Sequence, residues 1–508
     1  MAALLSGRLP AAFPREAGVV RDRGWRLNPM TSIRTDVCII GGGPAGATAA
    51  MRLVALGHRV CLLERSVSSQ RRPGESLTPG VWSILEILGL RDRVASADFA
   101  LGKRSQVRWA SEHVEQVEQR GHAPGLIVDR ARFDNLLLTA AAEQGVHVLR
   151  PAVAQRLHRR DGGHELLALQ GSEALSIEAR FIVDASGRGG FLPGARRPTA
   201  PRTLALHAYL HGEKLPDTTR IEAVEDGWYW GTKLPDGTFS VMLFLDPETV
   251  SLAGRRGLEA LLRSRLAASH LFEACARAEL LGDIRARDAT AYADAESIGQ
   301  DFVKLGEAAF AIDPLSSTGV EKAMQTALSG SIAVHTLLER PGSAPVVRSF
   351  QEQRQHEAVE RHAAWAAGHY RELVRHAESP FWRRRAAPEA QHPARPEAAP
   401  NVSDPAALLH VPVMRSEGMR LVELPCIRGD FIEPCRALHH PSLSRAVAFL
   451  GDVELAPLLD EVERGGTLLD IVRRWTPRVP MRQGLEIAAW LIANGMLHPR
   501  GPPNPGSG

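Results

Sequence analysis

The pattern of apolar and polar positions divides the chain into stretches of different periodicity. Residues 36–146 begin with the apolar run DVCII, pass through a glycine-rich turn into a helical stretch of small residues, and reach a second apolar run at 59–63. A long helical stretch then leads into a strand at Val146–Leu149. Apolar strands that alternate with helical periods predict an α/β fold with a parallel sheet.

The middle of the chain has a different pattern, with alternating and aromatic positions between about 200 and 300. This alternation predicts an antiparallel sheet. The predicted strands are Thr203–His211, Ile221–Lys233 and Thr238–Leu245, with Pro235-Asp236-Gly237 as a turn. Residues 303–338 return to a glycine-rich α/β pattern, and a long helix is predicted over 344–376.

The last part of the chain divides into a linker and a further unit. Residues 377–402 are rich in Pro, Ala and Arg without an apolar period, which predicts a linker. Helical periods at 453–463, 467–475 and 481–496 predict a mostly helical, winged-helix-like module. The expected organisation is a disordered extension at 1–33, an α/β domain at 34–200 that resumes with the long helix at 301–376, a sheet domain at 201–300, the linker at 377–402, and the module at 403–508.

Composition and charge exclude several classes of protein. Hydrophobic residues make up 44% of the 508 residues, and the formal net charge is only +3, so neither nucleic acid nor an anionic membrane is an expected partner. No apolar run reaches the roughly 18–20 residues of a membrane span. The five scattered cysteines are typical of reduced thiols in a cytoplasmic protein. No metal is expected, since Cys426 and Cys435 lack zinc-module spacing and His362, His369 and His376 lie about 10 Å apart along a helix.

A glycine motif supplies the first chemical signal. Gly41, Gly43 and Gly46 follow the first apolar strand directly and open a helix, while Glu64 ends the second strand. Such glycines allow a tight turn and a close approach of backbone to a pyrophosphate, and the acidic residue accepts hydrogen bonds from ribose hydroxyls. The arrangement predicts dinucleotide binding.

Further motifs specify which dinucleotide is bound. They are Val128–Asp134 at the start of a helix, Phe181–Gly187 at the end of a strand, Leu305–Ala309, Asp313–Val320, the segment PGESLTP at 73–79 and the aromatic strand Trp228–Trp230. With these motifs, residues 33–375 resemble the FAD-dependent monooxygenases of the aromatic-hydroxylase superfamily, in particular their halogenase-like branch. That branch includes flavoproteins that hydroxylate a protein tryptophan in tryptophylquinone biogenesis of the quinohemoprotein amine dehydrogenase type.

The resemblance implies FAD as cofactor, bound by a Rossmann-like domain of the glutathione-reductase type beside an antiparallel substrate sheet. Glu307 stands where the family usually has aspartate, so its ribitol contact is shifted or shared with Asp313. The implied cofactor contacts are Gly41, Gly43, Pro44, Ala45, Gly46, Glu64, Arg65, Ser76, Arg130, Asp184, Gly306, Glu307, Asp313, Pro314, Thr318, Gly319 and Val320.

Three reactions are compatible with this scaffold. A monooxygenase delivers oxygen from a flavin hydroperoxide to an electron-rich ring, a halogenase passes hypohalite on through a lysine, and a geranylgeranyl-type reductase saturates an alkene without oxygen. Lys103 lies near the place of that lysine but one or two residues out of step, and Ser316 replaces a glutamate of the free-tryptophan halogenases. The alternative interpretation of Lys103 is a solvated lysine at a strand end.

The candidate catalytic residues are Lys103, Glu75, Trp228 and Trp230. The two tryptophans alternate along one strand and therefore share a face, where they either line a substrate pocket or simply pack. Glu75 places a carboxylate close to the implied flavin, where it could act as a general base.

The carboxy-terminal module suggests a large substrate. A flavin enzyme acting on a small aromatic does not need residues 377–500, so we expect a protein or tethered aromatic substrate, most simply a tryptophan. The other expected reactants are O2 and either NAD(P)H or a separate flavin reductase, because the sequence has no second nucleotide-binding motif.

Overall fold

A computed structural model describes residues 31–68, 71–118, 124–386 and 409–499. Most of the predicted extension (1–30) and most of the predicted linker (387–402) therefore lie outside the described residues. Within them, no helix is long and apolar enough to cross a membrane. All five cysteines are free, and four of them are buried.

The strands and helices follow one another as the periodicity predicts for an α/β chain interrupted by a second sheet. The strands are β1 (Thr31–Ile40), β2 (Val60–Leu63), β3 (Ser76–Leu77), β4 (Ala100–Gly102), β5 (Arg104–Arg108), β6 (Glu115–Glu118), β7 (Gly125–Ile127), β8 (His147–Leu149), β9 (Val153–Arg160), β10 (Gly163–Gln170), β11 (Glu173–Asp184), β12 (Arg196–Pro198), β13 (Leu204–His211), β14 (Thr219–Val224), β15 (Gly227–Lys233), β16 (Phe239–Leu245), β17 (Glu279–Leu280), β18 (Arg285–Asp288), β19 (Tyr292–Asp294), β20 (Phe302–Lys304), β21 (Phe310–Ala311), β22 (Val413–Arg415), β23 (Arg420–Arg428), β24 (Phe431–His439), β25 (Phe449–Leu450), β26 (Val453–Glu454) and β27 (Leu497–Pro499). The helices are α1 (Pro44–Ala55), α2 (Val81–Ile87), α3 (Arg91–Ala95), α4 (Arg130–Glu143), α5 (Pro247–Ala267), α6 (Gly319–Glu339), α7 (Ala344–Arg371), α8 (Pro380–Arg385), α9 (Ala456–Val462), α10 (Leu468–Trp475) and α11 (Met481–Ala493).

The first sheet has seven strands in the order β8-β2-β1-β11-β10-β9, with β20 also paired to β11. Strands β8, β2, β1, β11 and β20 run parallel, and β9, β10 and β11 form an antiparallel meander. The four residues of β2 are all buried, as expected for a strand covered on both faces. The predicted α/β fold is thus confirmed, with a mixed rather than purely parallel sheet.

The second sheet has eight strands in the order β17-β13-β16-β15-β14-β5-β6, with β18 paired to β13. It is antiparallel except where β14 runs parallel to β5. The predicted single strand Ile221–Lys233 is wrong, because the chain reverses between β14 and β15 and the two strands pair with each other. Strands β5 and β6 come from the stretch assigned to the first domain, so this sheet is built from two separate parts of the sequence.

The two faces of the second sheet bury different residues. One face packs Leu206, Tyr229 and Leu243 with apolar side chains of α5. The opposite face, here called the inner face, carries Trp228 and Trp230 together with side chains from the region of α7 and α8. The predicted common face of the two tryptophans is thereby confirmed.

The beginning of the predicted linker is part of the folded structure. Helix α8 occupies residues 380–385, and Phe381 and Trp382 are both buried against the inner face. Prediction of a linker over these residues is wrong, because two aromatic anchors outweigh the surrounding Pro, Ala and Arg. The Trp382 indole N–H also donates to the Val224 carbonyl at 2.8 Å.

The carboxy-terminal module combines three helices with a long hairpin. Helices α9, α10 and α11 lie within the three predicted helical periods and surround the buried Trp475. Strands β23 and β24 pair over nine residues each, so the described module is less helical than the sequence predicts. The hairpin packs on α6, where the Ile432 N–H donates to the Thr336 hydroxyl at 3.0 Å.

Candidate functional site

The candidate site is built from two glycine-rich turns and one loop, of which the second turn and the loop contact the inner face of the second sheet. The turns are the one before α1 and the one before α6, and the loop is the PGES segment that leads into β3. The contacts around each of them explain which residues its sequence requires.

The turn before α1 is closely packed around its glycines. Gly41 has a φ of 107°, and a Cβ at Gly46 would lie 1.8 Å from the Gly41 carbonyl oxygen, so neither position has room for a side chain. Glu64 at the end of β2 accepts hydrogen bonds from the N–H groups of Gly42 and Ser66, both at 2.8 Å. The acidic residue therefore fixes the turn against the second strand.

The turn before α6 is held by Asp313. Its carboxylate caps the short 3-10 turn Pro314–Ser316 by accepting from the Leu315 N–H at 3.0 Å. The Tyr370 hydroxyl of α7 lies 2.9 Å from both Asp313 carboxylate oxygens. Ser317 then takes a φ of 51°, in the left-handed region that non-glycine residues rarely occupy. Burial raises the pKa of Asp313, against these hydrogen bonds.

Both helices that follow these turns begin without a side-chain cap, at Gly43 for α1 and Thr318 for α6. An added Cβ at Gly43 or Gly319 would meet no atom within 4 Å, so the space in front of each helix is open. Uncapped N–H groups and the helix dipole favour negative charge at such positions. Each turn can therefore accept a negatively charged group at the start of its helix.

The PGES loop is locked between α4 and α6. Gly74 has a φ of 101°, and a Cβ there would lie 2.5 Å from the Arg130 guanidinium and 3.3 Å from the Val320 side chain. Arg130 itself is buried, forms a bidentate pair with Asp134 at 3.0 and 3.1 Å, and donates to the Pro73 carbonyl at 2.8 Å. Its described partners are thus protein groups that position the loop.

Glu75 is the centre of a buried polar network on the inner face. Its Oε1 accepts from the Tyr209 hydroxyl and the Ser240 hydroxyl, both at 3.0 Å. The Nε2 of His207 lies 3.1 Å from the Ser240 hydroxyl and 3.9 Å from Glu75 Oε1. Glu75 Oε2 is buried and has no hydrogen-bond partner among the described residues. Burial raises the pKa of Glu75 and lowers that of His207 to about 3, which keeps the imidazole neutral.

The aromatic side chains beside this network form a continuous wall. Trp228 stacks on Phe244 with ring centroids 3.9 Å apart, and it meets Trp109 edge to face at 6.1 Å. Trp109 in turn lies 5.5 Å from Trp382. The indole nitrogen of Trp228 is buried without a hydrogen-bond partner among the described residues.

Several candidates from the sequence lie outside this arrangement or are engaged elsewhere. Lys103 is exposed between β4 and β5, and Arg65 is exposed after β2. The Asp184 carboxylate accepts from N–H groups of its own following loop, such as Phe191 at 2.9 Å. The Glu307 side chain is half exposed and lies 3.6 Å from Arg188. The remaining candidates, Pro44, Ala45, Ser76 and Gly306, lie in or next to the turns and the loop.

Sequence reasoning missed three residues that the fold brings into the site region. Tyr370 and His207 carry no local motif, and their roles depend on contacts with distant parts of the chain. Lys322 lies in the first turns of α6, fully buried, and donates to the Phe310 carbonyl at 2.5 Å. Burial lowers the pKa of Lys322 to about 8. The only sequence feature that could have pointed to Lys322 is its position directly after the glycine-rich turn.

Comparison with known proteins matches this geometry to a family. The family model described as tryptophan halogenase matches residues 36–110 and 99–399. The tryptophan 2-halogenase of Chondromyces crocatus is 30% identical over 322 residues, which cover 60% of this chain and 62% of that relative. The flavin-dependent halogenase armH4 of Armillaria mellea is 27% identical over 68% of this chain and 74% of its own length.

Solved structures show the same architecture. The structure of the peptidyl tryptophan dihydroxylase QhpG, essential for tryptophylquinone cofactor biogenesis, is 27% identical, with a TM-score of 0.71 over 91% of this chain and 100% of that chain. The flavin-dependent halogenase CmlS has a TM-score of 0.72 over 91% of this chain and 96% of its own, and at 24% identity it shows the fold alone. The family expected from the motifs is confirmed. Because the family model covers well over half of the sequence, the chain belongs to the tryptophan halogenase family and is an FAD-dependent enzyme of the oxidoreductase type.

Proposed function

We propose that this protein is an FAD-dependent monooxygenase that hydroxylates an electron-rich aromatic ring, specifically a tryptophan held in a protein or another tethered substrate. The chain is similar both to halogenases and to the QhpG structure, so the choice between oxygen and halogen rests on the site. The main observation in favour of oxygen transfer is the position of the lysine side chains.

A halogenase reaction needs a lysine amine beside the substrate ring. Lys103 is exposed to solvent and takes part in no side-chain hydrogen bond among the described residues. The buried lysines of the described chain, Lys304 and Lys322, are bonded to Asp294 at 2.9 Å and to the Phe310 carbonyl at 2.5 Å. Ser316 also supplies no carboxylate, and its hydroxyl bonds to the Asp313 carbonyl and the Thr318 hydroxyl instead. These positions favour oxygen transfer.

The residues around the two turns would hold the cofactor. Gly41, Gly43 and Gly46 would admit the pyrophosphate at α1, and Glu64 would contact the adenosine ribose. Backbone N–H groups from Pro314–Val320 would face the flavin ring at α6 and stabilise negative charge there. Reduced FAD, when bound, activates O2 so that one oxygen atom enters the substrate ring and the other leaves as water.

Glu75 is assigned the acid-base role. A ring carbon that gains oxygen must lose its hydrogen as a proton before aromaticity is restored, and a carboxylate beside it can accept that proton. The free Oε2 of Glu75 is the acceptor, while Tyr209 and Ser240 hold Oε1 in place. Burial raises the pKa of Glu75, which makes its carboxylate a stronger proton acceptor.

A macromolecular substrate is supported by the carboxy-terminal module and by the likeness to QhpG. That structure, a peptidyl tryptophan dihydroxylase, is matched over its whole length. We assign substrate recognition to the module at 409–499, and Trp228 and Trp230 to the pocket wall next to the reacting ring. The electrons come from NAD(P)H directly or through a separate flavin reductase.

The decisive experiment uses purified enzyme with FAD, a flavin reductase, NADH, O2 and bromide on a tryptophan-containing protein, followed by mass spectrometry. The expected product gains oxygen and no bromine, and it does not form without O2. The variant Lys103→Ala is expected to retain full turnover. Bromine in the product, together with loss of activity in that variant, would identify a halogenase, and product formation without O2 would exclude both oxygen-dependent reactions.

A further inference from the structure

A second cluster of ligand-type side chains lies far from the flavin site, at the opposite end of α6. His58 and His335 are both buried, and the Nε2 of His58 lies 2.9 Å from the Nδ1 of His335. Glu339 completes the cluster, and one ligand atom from each of the three residues lies within 4.8 Å of the others. We refer to these three residues as the histidine cluster.

The backbone around the histidine cluster is preorganised. Helix α1 ends in a Schellman motif, in which the His58 N–H donates to the Leu53 carbonyl at 3.1 Å and the Gly57 N–H to the Val54 carbonyl at 2.9 Å. Gly57 has the positive φ of 89° that this motif requires. His335 and Glu339 are four residues apart on α6, so their side chains share one helix face. The fold therefore aims three ligands at one point without help from a flexible loop.

The surroundings shield the imidazoles and leave the carboxylate open. The Phe431 ring of the β23–β24 hairpin covers His335, with ring centroids 4.7 Å apart. Of the neighbouring arginines, Arg52 pairs with Asp430, Arg340 pairs with Glu433, and Arg180 donates to the Leu338 carbonyl at 3.3 Å. Glu339 is exposed and forms no ion pair among the described residues, so a cation can enter from its side. Burial lowers the pKa of both histidines, which leaves them neutral at physiological pH.

We propose that His58, His335 and Glu339 bind a divalent cation of the zinc class, with water as the fourth ligand. Two imidazole nitrogens and one carboxylate form a ligand set that zinc accepts in tetrahedral geometry. Nitrogens that each lie about 2.0–2.1 Å from a tetrahedral ion are about 3.3 Å apart. The two nitrogens are now hydrogen-bonded to each other at 2.9 Å, so metal binding requires the donor ring to carry its proton on its other nitrogen and the two nitrogens to separate by a few tenths of an ångström.

A bound ion would stabilise the contact between α6 and the β23–β24 hairpin, which lies beside the histidine cluster. His335 and Thr336 lie side by side on α6, and the hairpin contacts both, through the Phe431 ring and the Ile432 N–H. An ion that fixes the His335 ring also fixes the surface on which the hairpin packs. Binding energy at the histidine cluster is thus coupled to docking of the carboxy-terminal module.

The test is zinc binding by the untagged, FAD-loaded full-length enzyme after treatment with a chelator. Equilibrium dialysis with elemental analysis is expected to show one tightly bound zinc per chain, and Co²⁺ substitution to give the intense visible bands of a tetrahedral site. His335→Asn is expected to abolish this equivalent. Glu339→Gln, which changes an exposed residue and keeps the fold, is expected to weaken binding at least tenfold.

A matched control is present on α7. His356 and Glu360 have the same four-residue spacing, lie 3.1 Å apart and are exposed, but no second imidazole accompanies them in the described structure. The variant His356→Asn is expected to leave zinc binding unchanged, and flavin absorbance confirms the fold of every variant. Absence of a stoichiometric zinc in the wild type, or unchanged binding in both His335→Asn and Glu339→Gln, would overturn the proposal.

Discussion

The contact between Tyr370 and Asp313 gives the sharpest test of how the turn before α6 is held. Tyr370→Phe removes one hydroxyl that lies 2.9 Å from both oxygens of a buried carboxylate and leaves the ring in place. A hydrogen bond to a charged group contributes about 1.5–3 kcal/mol, and the remaining donor is the Leu315 N–H. We therefore expect a loss of about 2 kcal/mol, which lowers the Tm by a few degrees.

The pH dependence of this loss follows from the pKa of Asp313. Burial raises that pKa above 3.8, so Asp313 favours folding below about 3.8 and this contribution disappears as the pH rises through the folded-state pKa. The Tyr370 hydroxyl stabilises the ionised carboxylate and limits the rise. In Tyr370→Phe the pKa rises further, so the stability difference between wild type and variant is small in acid and grows toward neutral pH.

The assay is thermal unfolding from acidic to neutral pH, with bound FAD measured in parallel. Tyr229→Phe is the matched control, since that tyrosine is equally buried on the other face of the sheet and its hydroxyl has no hydrogen bond among the described residues. The Asp313→Asn background should remove most of the effect of Tyr370→Phe. Equal losses in Tyr370→Phe and Tyr229→Phe, or a loss independent of pH, would refute the assigned contact.

Three further predictions follow from the same geometry. Glu75→Gln should retain FAD but lose about 10²-fold or more in kcat, measured with the tryptophan-containing protein, because the general base is gone; unchanged kcat would remove Glu75 from the mechanism. Lys322→Met should raise the free energy of unfolding at neutral pH by up to about 3 kcal/mol, because burial lowers the lysine pKa from 10.5 to about 8. That advantage should fade as the pH rises through this interval, where the unfolded wild type binds more protons than the folded one, and a constant difference would contradict it. Gly46→Ala should abolish FAD retention on desalting, since its Cβ would lie 1.8 Å from the Gly41 oxygen, whereas Gly342→Ala, in open space, should retain FAD.

Local patterns in the sequence were sufficient for the parts of the site that depend on neighbours along the chain. The turn before α1 needs glycine at Gly41 because of its positive φ and at Gly46 because of close packing, and both requirements leave a readable motif. The alternation of Trp228 and Trp230 likewise predicted one face of one sheet. These constraints are local, so the sequence displays them.

The remaining features depend on contacts between distant residues. Arg130 was expected to contact the cofactor, and its contacts with Asp134 and with the Pro73 carbonyl, 57 residues away, were not foreseen. The two histidines of the histidine cluster are 277 residues apart, so no spacing rule could pair them. The position of Lys103 along the chain suggested the halogenase lysine, but the packing of the strands around it leaves its side chain exposed to solvent. Such roles become visible only when the topology is known.

The position of the carboxy-terminal module limits how it can present a substrate. Its hairpin contacts α6 near His335, and at about 1.5 Å per residue roughly 24 Å of helix separate that point from Gly319 at the start of α6. The module also lies close to α7, where burial and the nearby charge of Arg445 lower the pKa of Arg354. About 24 Å of helix again separate Arg354 from Tyr370. A substrate that contacts this face of the module and the reacting centre together must span that distance, which a folded protein does and a peptide of fewer than about seven residues does not, even when fully extended. We therefore expect a much lower KM for the intact protein substrate than for a short peptide with the same tryptophan, at similar kcat. Equal KM values would mean that recognition is confined to the pocket wall.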